Sequence, residues 1–114
     1  MSTALASARD EMVARARDVA AVLAEHAAET EELGRPAPAS VAALGQAGLF
    51  ALTVPRRYGG PELGLGTLAR VGMELGRGCP STAWVASLSA AAKSMVGSML
   101  GEQAREEFYA DPNA

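Results

Sequence analysis

Aromatic side chains are scarce in this sequence: phenylalanine, tryptophan and tyrosine make up 4% of its 114 residues, although 49% of the residues are hydrophobic. Strands favour aromatic and β-branched side chains, whereas alanine and leucine, which are abundant here, favour helices. A chain of this length suffices for one domain and is too short for two. We therefore predict a single all-α domain that spans residues 1–114.

Thiol and imidazole groups are almost absent, since Cys79 and His26 are the only cysteine and histidine. One cysteine excludes an internal disulfide and leaves too few thiols for a zinc site, so we predict no metal and a reducing, cytoplasmic location. Any Ser–His–Asp or Cys–His machinery would have to use His26, which lies far from Cys79 in the sequence. We interpret His26 as a packing or partly exposed residue. Cys79 could have a lowered pKa at a helix start, but no base accompanies it, and we interpret it as a small buried thiol.

Long runs of one charge or of apolar residues are also missing. The net charge is −3 with acidic and basic residues interspersed, which argues against nucleic-acid binding. The nearly uncharged stretch of residues 78–93 is too short and too polar to cross a membrane, and the charged N-terminus is no signal peptide. The glycines form no phosphate-binding loop, and the scattered glutamates have no apolar pocket. We therefore predict no catalytic residue in this sequence.

Helical periodicity is present from the start of the chain. Residues 2–33 predict one long amphipathic helix that ends at Gly34. Its seven-residue repeat consists of Leu5, Met12, Val19, His26 and Leu33. A short second helix is predicted over residues 38–48, with inward side chains at Val41, Leu44 and Ala47.

Glycine and proline punctuate the middle of the chain. An apolar run over residues 49–55 predicts an extended connector. The adjacent Gly59 and Gly60, followed by a proline, predict a tight turn with unusual backbone angles. A third helix is predicted over residues 66–77, with Thr67 as its cap.

The fourth predicted helix, residues 83–100, is capped by Ser81 or Thr82, and its evenly spread apolar residues suggest the most enclosed helix of the domain. It combines the only tryptophan with small and hydroxylated residues. This composition fits either tight helix packing or the wall of a ligand pocket. A last helix over residues 102–110 brings the total to about five and is expected to bury Ala104, Phe108 and Tyr109.

Three segments resemble a known family. Residues 47–60, AGLFALTVPRRYGG, resemble the GLF…xPxxYGG signature of the acyl-CoA dehydrogenase fold. Residues 29–36, ETEELGRP, are similar to the segment that joins the family's first two helices, and residues 78–85, GCPSTAWV, to the segment that opens its central helix. The STAW form and the closing DPNA resemble one branch, the two-component flavin-dependent monooxygenases.

The resemblance implies that residues 1–114 are the family's N-terminal helical domain, without the β-domain and C-terminal four-helix bundle that follow in relatives. Those later parts, with a neighbouring subunit of a homo-oligomer such as a tetramer, hold most of the flavin, FMN or FAD. The small-molecule substrate lies over the flavin ring, against the central N-terminal helix. Carried onto this sequence, the resemblance implies a substrate-binding wall of Trp84, Ser87, Leu88, Ala91 and Ala92.

The implied function is that of the substrate-pocket domain of a monooxygenase. In this branch a separate reductase supplies reduced flavin, and O2 is used to hydroxylate an aromatic or polyketide-type substrate. Many relatives carry a histidine on the central helix, a turn or two after the tryptophan, where this sequence has SAAAK at residues 89–93. The 114 residues by themselves are expected neither to bind flavin tightly nor to turn over substrate.

Two alternatives stay open from the sequence. One is the N-terminal domain of an FAD-dependent acyl-CoA dehydrogenase, which desaturates an acyl-CoA thioester. The other is a stand-alone helical interaction module without catalysis. Because partner domains would normally cover part of its apolar surface, we also expect the chain to self-associate.

Overall fold

The structure, a computed structural model, describes residues 3–114 and all of their side chains except that of Leu5. Within this range every regular element is helical, so the predicted all-α fold is confirmed. The α-helices are α1 (Thr3–Glu25), α2 (Ala27–Leu33), α3 (Pro38–Gln46), α4 (Leu65–Gly78), α5 (Pro80–Met99) and α6 (Glu102–Phe108). Two 3₁₀ turns, η1 (Leu49–Ala51) and η2 (Arg56–Tyr58), lie between α3 and α4.

The first predicted helix is interrupted, and the prediction of one continuous helix was wrong. His26 has φ −108° and ψ 14°, outside the helical region, and separates α1 from α2. Thr30 in α2 accepts a hydrogen bond from the backbone N–H of Ala37, at 3.0 Å. Gly34 ends α2 in the left-handed conformation, as predicted. Of the seven-residue repeat, Met12 and Val19 are buried, Leu33 is exposed, and the side chain of Leu5 lies outside the described residues.

The core lies where α1 and α5 pack against α4, with buried side chains from all three helices. Two glycines of α4 permit this packing. A Cβ at Gly78 would collide with the carbonyl of Ala20 in α1, and a Cβ at Gly72 would lie 2.8 Å from Ser87 Oγ in α5. The middle helix therefore approaches both neighbours at positions where it has no side chain.

The segment after α3 is compact, so the predicted extended connector was wrong. Residues 49–51 form η1, and residues 51–54 are buried. The tight turn that follows is confirmed, because Gly59 has φ 91° and a Cβ at Gly60 would collide with Val54. The turn directs the chain back so that the N–H groups of Glu62 and Leu63 donate to the carbonyls of Val54 and Leu52, respectively.

The N-caps of two helices were predicted two or three residues too late. Gly64 is the N-cap of α4, and Thr67 is buried inside its first turn rather than capping it. Cys79 is the N-cap of α5, because Pro80 occupies the first helical position and the predicted caps, Ser81 and Thr82, follow it.

Several predicted inward side chains are instead exposed: Val41 in α3, and Ala104 and Phe108 in α6. Tyr109 is buried as predicted. The expectation that the fourth predicted helix, α5, is the most enclosed was wrong, because one side of it carries exposed large apolar residues. Among the described residues, no helix is both long and apolar enough to cross a membrane.

Candidate functional site: the open face of α5

Helix α5 has two faces of different exposure. Its core side consists of the buried residues Thr82, Ala83, Ala86, Ala90 and Gly97. Its other side, which we call the open face, carries Trp84, Val85, Leu88, Ala91, Ala92, Met95, Val96 and Met99. The six large residues in this set are exposed, with Trp84 68% and Met99 79% accessible. Spacings of three and four residues place Trp84, Leu88, Ala91, Met95 and Met99 in one row along the helix.

The structure brings four of the five expected substrate-wall residues onto the open face. Trp84 and Leu88 project from it, and the half-buried Ala91 and Ala92 leave a shallow region beside them. Ser87 lies apart from this row, half-buried, with its hydroxyl beside Gly72 of α4. The sequence reasoning did not include Met95 and Met99, although their spacing from Leu88 already indicated that they share its face.

The open face carries no charge from α5. Lys93 is the only charged residue of this helix, and its ammonium donates a hydrogen bond to the carbonyl of Pro112 at 2.7 Å. The ammonium also lies 5.8 Å from the centroid of the Phe50 ring. Burial lowers the pKa of Lys93 below its ordinary value, and the nearby Asp111 partly opposes this shift. The single cation is thus tied to the C-terminal segment of the chain.

The backbone of α5 is anchored at several carbonyls. Thr53 Oγ1 donates to the carbonyl of Ala90 and Tyr109 Oη to that of Lys93, each at 2.7 Å. Arg105 donates from Nε to Gly97 O and from Nη2 to Leu100 O, at 2.9 and 2.7 Å. A basic side chain at these carbonyls also opposes the negative end of the helix dipole. The sequence did not predict these hydrogen bonds, because only the fold shows which carbonyls of α5 lie beside the side chains of Thr53, Arg105 and Tyr109.

A cleft of about 780 Å³ lies at the start of α5, between it and the α2–α3 connection, and Val85 lines part of it. Cys79 also lines this cleft and is buried, as predicted. Burial raises the pKa of its thiol, but hydrogen bonds from the side chains and backbone of Ser81 and Thr82 outweigh this effect, so the pKa is lowered. Cys79 is only 4% exposed, which agrees with its interpretation as a small buried thiol rather than a reactive nucleophile.

His26 is partly exposed, and its Nδ1 lies 3.1 Å from Glu29 Oε2. This exposure agrees with the interpretation of His26 as a packing or partly exposed residue. In the part of the chain that the structure describes, no group of three histidine, cysteine or carboxylate side chains is placed to hold a metal ion.

The fold and the open face define a helical domain with a long exposed apolar surface on α5, to which no charged side chain of that helix contributes. Residues 7–111 match the family described as acyl-CoA dehydrogenase, N-terminal domain, and the chain belongs to this family.

Two curated relatives are similar to the chain. It is 36% identical over 103 residues to a pigment production hydroxylase of Rhodococcus sp. (strain ATCC 21145), covering 90% of this chain and 26% of the relative. It is 33% identical over 98 residues to the oxygenase component of an FADH2-dependent resorcinol hydroxylase of Rhizobium sp. (strain MTP-10005), covering 86% of this chain and 24% of the relative. The chain thus spans about a quarter of the length of these relatives. No solved structure matches at comparable significance.

Proposed function

We propose that this chain is the N-terminal substrate-pocket domain of a flavin-dependent monooxygenase that hydroxylates an aromatic or polyketide-type substrate with reduced flavin and O2. The open face of α5 carries this proposal, because it combines a projecting tryptophan, flexible apolar side chains and no charge. Both relatives named above are hydroxylases, and the name of one specifies FADH2 dependence.

The residues of the open face fit a planar aromatic ligand. Trp84 offers a flat ring for stacking. The small Ala91 and Ala92, two turns further along the helix, leave room beside Leu88. Met95 and Met99 are adaptable side chains that contact aromatic rings favourably. A charged ligand would find no partner on α5 here, so the face selects uncharged ring systems.

The role of this chain in the reaction is to bind the substrate, to orient it and to exclude water from it. The flavin, FMN or FAD, supplies the oxygen chemistry when it is bound. On the described open face no side chain can take up or release a proton near neutral pH, and residues 89–93, SAAAK, contain no histidine. Its residues therefore hold the substrate ring at a fixed distance and exclude water from it, while proton transfer falls to other groups.

The proposal requires further polypeptide and a partner enzyme. A β-domain and a C-terminal four-helix bundle would complete the pocket and hold most of the flavin, in a homo-oligomer such as a tetramer. A separate reductase would deliver the reduced flavin. The term "oxygenase component" in the name of one relative supports this division of labour.

The test uses the polypeptide in which residues 1–114 continue into those two domains, supplied with a flavin reductase, 18O-labelled O2 and a panel of phenols. We expect 18O in a hydroxylated product and a requirement for reduced flavin. Leu88→Asp should raise KM about tenfold or more, because it places a charge against the ring. Val41→Asp, the same type of change at an exposed position on α3, should leave the kinetics unchanged.

Dehydrogenation of an acyl-CoA is the competing reaction, and neither relative's name refers to it. Oxidation of an acyl-CoA with an electron acceptor and no reductase, without labelled product from any phenol, would refute the proposal.

A further inference from the structure

A second cavity lies on a different side of α5 from the open face. It has a volume of about 330 Å³ and lies between η2 and the C-terminal half of α5. Gly97, in its lining, is nine residues after Leu88, which places the two on opposite sides of the helix. We call this cavity the arginine pocket, after Arg57 and Arg105, which line it.

The lining of the arginine pocket is rich in hydrogen-bond donors. Two guanidinium groups and five hydroxyl groups contribute to it, and among the described residues that line it there is no carboxylate. Such a donor set is suited to an oxyanion.

One of these hydroxyls is left unsatisfied. The hydroxyls of Thr53, Ser98 and Tyr109 already donate to backbone carbonyls. The hydroxyl oxygen of Tyr58 is shielded from solvent and has no hydrogen-bond partner among the residues that the structure describes. Native proteins rarely leave such a group unpaired, and because Tyr58 lines the cavity, its hydroxyl is a candidate donor to a molecule bound there.

The two arginines differ in how their charge is used. Arg105 donates to Gly97 O and Leu100 O and so offsets the negative C-terminal end of α5. Arg57 lies over the Tyr58 ring, with its guanidinium carbon 5.0 Å from the ring centroid. Its nearest carboxylate is that of Glu102, at 3.8 Å, and because both side chains are exposed this pair is weak. The charge of Arg57 is therefore available to an anion.

We infer that the arginine pocket binds a phosphate group, with Arg57 as the main cationic contact and the Tyr58 hydroxyl as a donor. Hydrogen-bond donors line the cavity from three elements, namely η2, α5 and α6, which carries Arg105. A tetrahedral oxyanion accepts hydrogen bonds from several directions at once, whereas a carboxylate accepts them in one plane. The inference does not depend on the proposed function.

The test titrates the 114-residue chain with inorganic phosphate at constant ionic strength, monitored by backbone amide shifts in 15N NMR and by the melting temperature. We expect saturable shifts at residues 57–60 and 94–98 and a higher melting temperature, neither of which chloride produces. Arg57→Gln should weaken phosphate binding about tenfold and Tyr58→Phe about threefold. Glu102→Gln should strengthen binding, because it removes the competing carboxylate.

Arg56→Gln is the matched control, since this adjacent arginine is exposed and does not line the pocket. Its affinity for phosphate should equal that of the unaltered chain. Equal losses in Arg56→Gln and Arg57→Gln would show bulk electrostatic attraction and overturn the inference, as would the absence of saturable shifts. A titration with glycerol phosphate shows which kind of phosphate the pocket accepts. If glycerol phosphate binds as well as inorganic phosphate, the ligand is an esterified phosphate. If only inorganic phosphate binds, the ligand is the free ion.

Discussion

At Gly60 the backbone passes so close to Val54 that no side chain fits. The carbonyl of Val54 also accepts the N–H of Glu62, a non-glycine residue with a positive φ of 54°. In this turn the absence of a side chain at Gly60 therefore allows the close approach to Val54, and the hydrogen bond from Glu62 to Val54 maintains it. The pair of glycines before a proline predicted the turn, but the contact of Gly60 with Val54 depends on the fold.

Gly60→Ala should lower the free energy of unfolding by about 1–3 kcal/mol, because the new Cβ would force the backbone at Val54 to move. Gly76→Ala is the control, since a Cβ at this position in α4 would have no atom within 4 Å. It should instead raise the stability by roughly 0.5–1 kcal/mol through its helix propensity. Urea denaturation of both variants checks this. Equal effects at the two positions would contradict the account.

At the scale of elements, the sequence predicted which segments are helical better than it predicted their faces. Periodicity found α3 to α6 to within a few residues, but it missed the break at His26, where a single residue leaves the helical region. It also predicted that α5 is enclosed, because the helix's own apolar residues are spread around its whole circumference. Only the structure shows that one side of α5 packs against α4 in the core and that the open face is the other side.

Tyr109 anchors α5 through its hydroxyl bond to the carbonyl of Lys93, so Tyr109→Phe should lower the free energy of unfolding by about 0.5–1.5 kcal/mol at neutral pH. Burial raises the pKa of Tyr109 and Tyr58 adds to this, while Arg105 opposes it. The folded state thus retains the phenolic proton longer than the unfolded state. The resulting stability is fully present below the unfolded pKa, about 10, and is lost as pH rises through the folded pKa.

Denaturation between pH 8 and 11 measures this effect. The unaltered chain should lose more stability over the alkaline part of this range than Tyr109→Phe does. Parallel pH profiles of the two proteins would show that the phenol is not shielded.

At the scale of the whole molecule, the domain is a flattened body of 41 × 33 × 19 Å. A compact monomer of its 11.7 kDa mass is expected to expose about 5,900 Å², whereas this chain exposes 6498 Å². The surplus of roughly 600 Å² approaches the area that one partner contributes to a standard interface. The open face of α5 is an exposed apolar part of this surface.

The 114-residue chain by itself should therefore self-associate through the open face. We expect its average mass in sedimentation equilibrium to rise with concentration. Leu88→Asp should weaken association about tenfold or more, because it buries a charge in the contact. Val41→Asp, which alters an exposed residue away from α5, should associate like the unaltered chain. A mass that stays monomeric at every concentration would mean that the open face does not drive association.

The central claim is that the open face of α5 forms a wall against which an aromatic ring lies. Trp84 is the only tryptophan within residues 1–114, and it lies on this face. The most direct test labels Trp84 with a fluorinated tryptophan in the polypeptide that continues into the β-domain and helical bundle, and follows its 19F resonance while flavin and a phenol are added. The account predicts a saturable shift that Leu88→Asp abolishes and Val41→Asp preserves. A resonance that does not move, in an enzyme that still turns over, would contradict it.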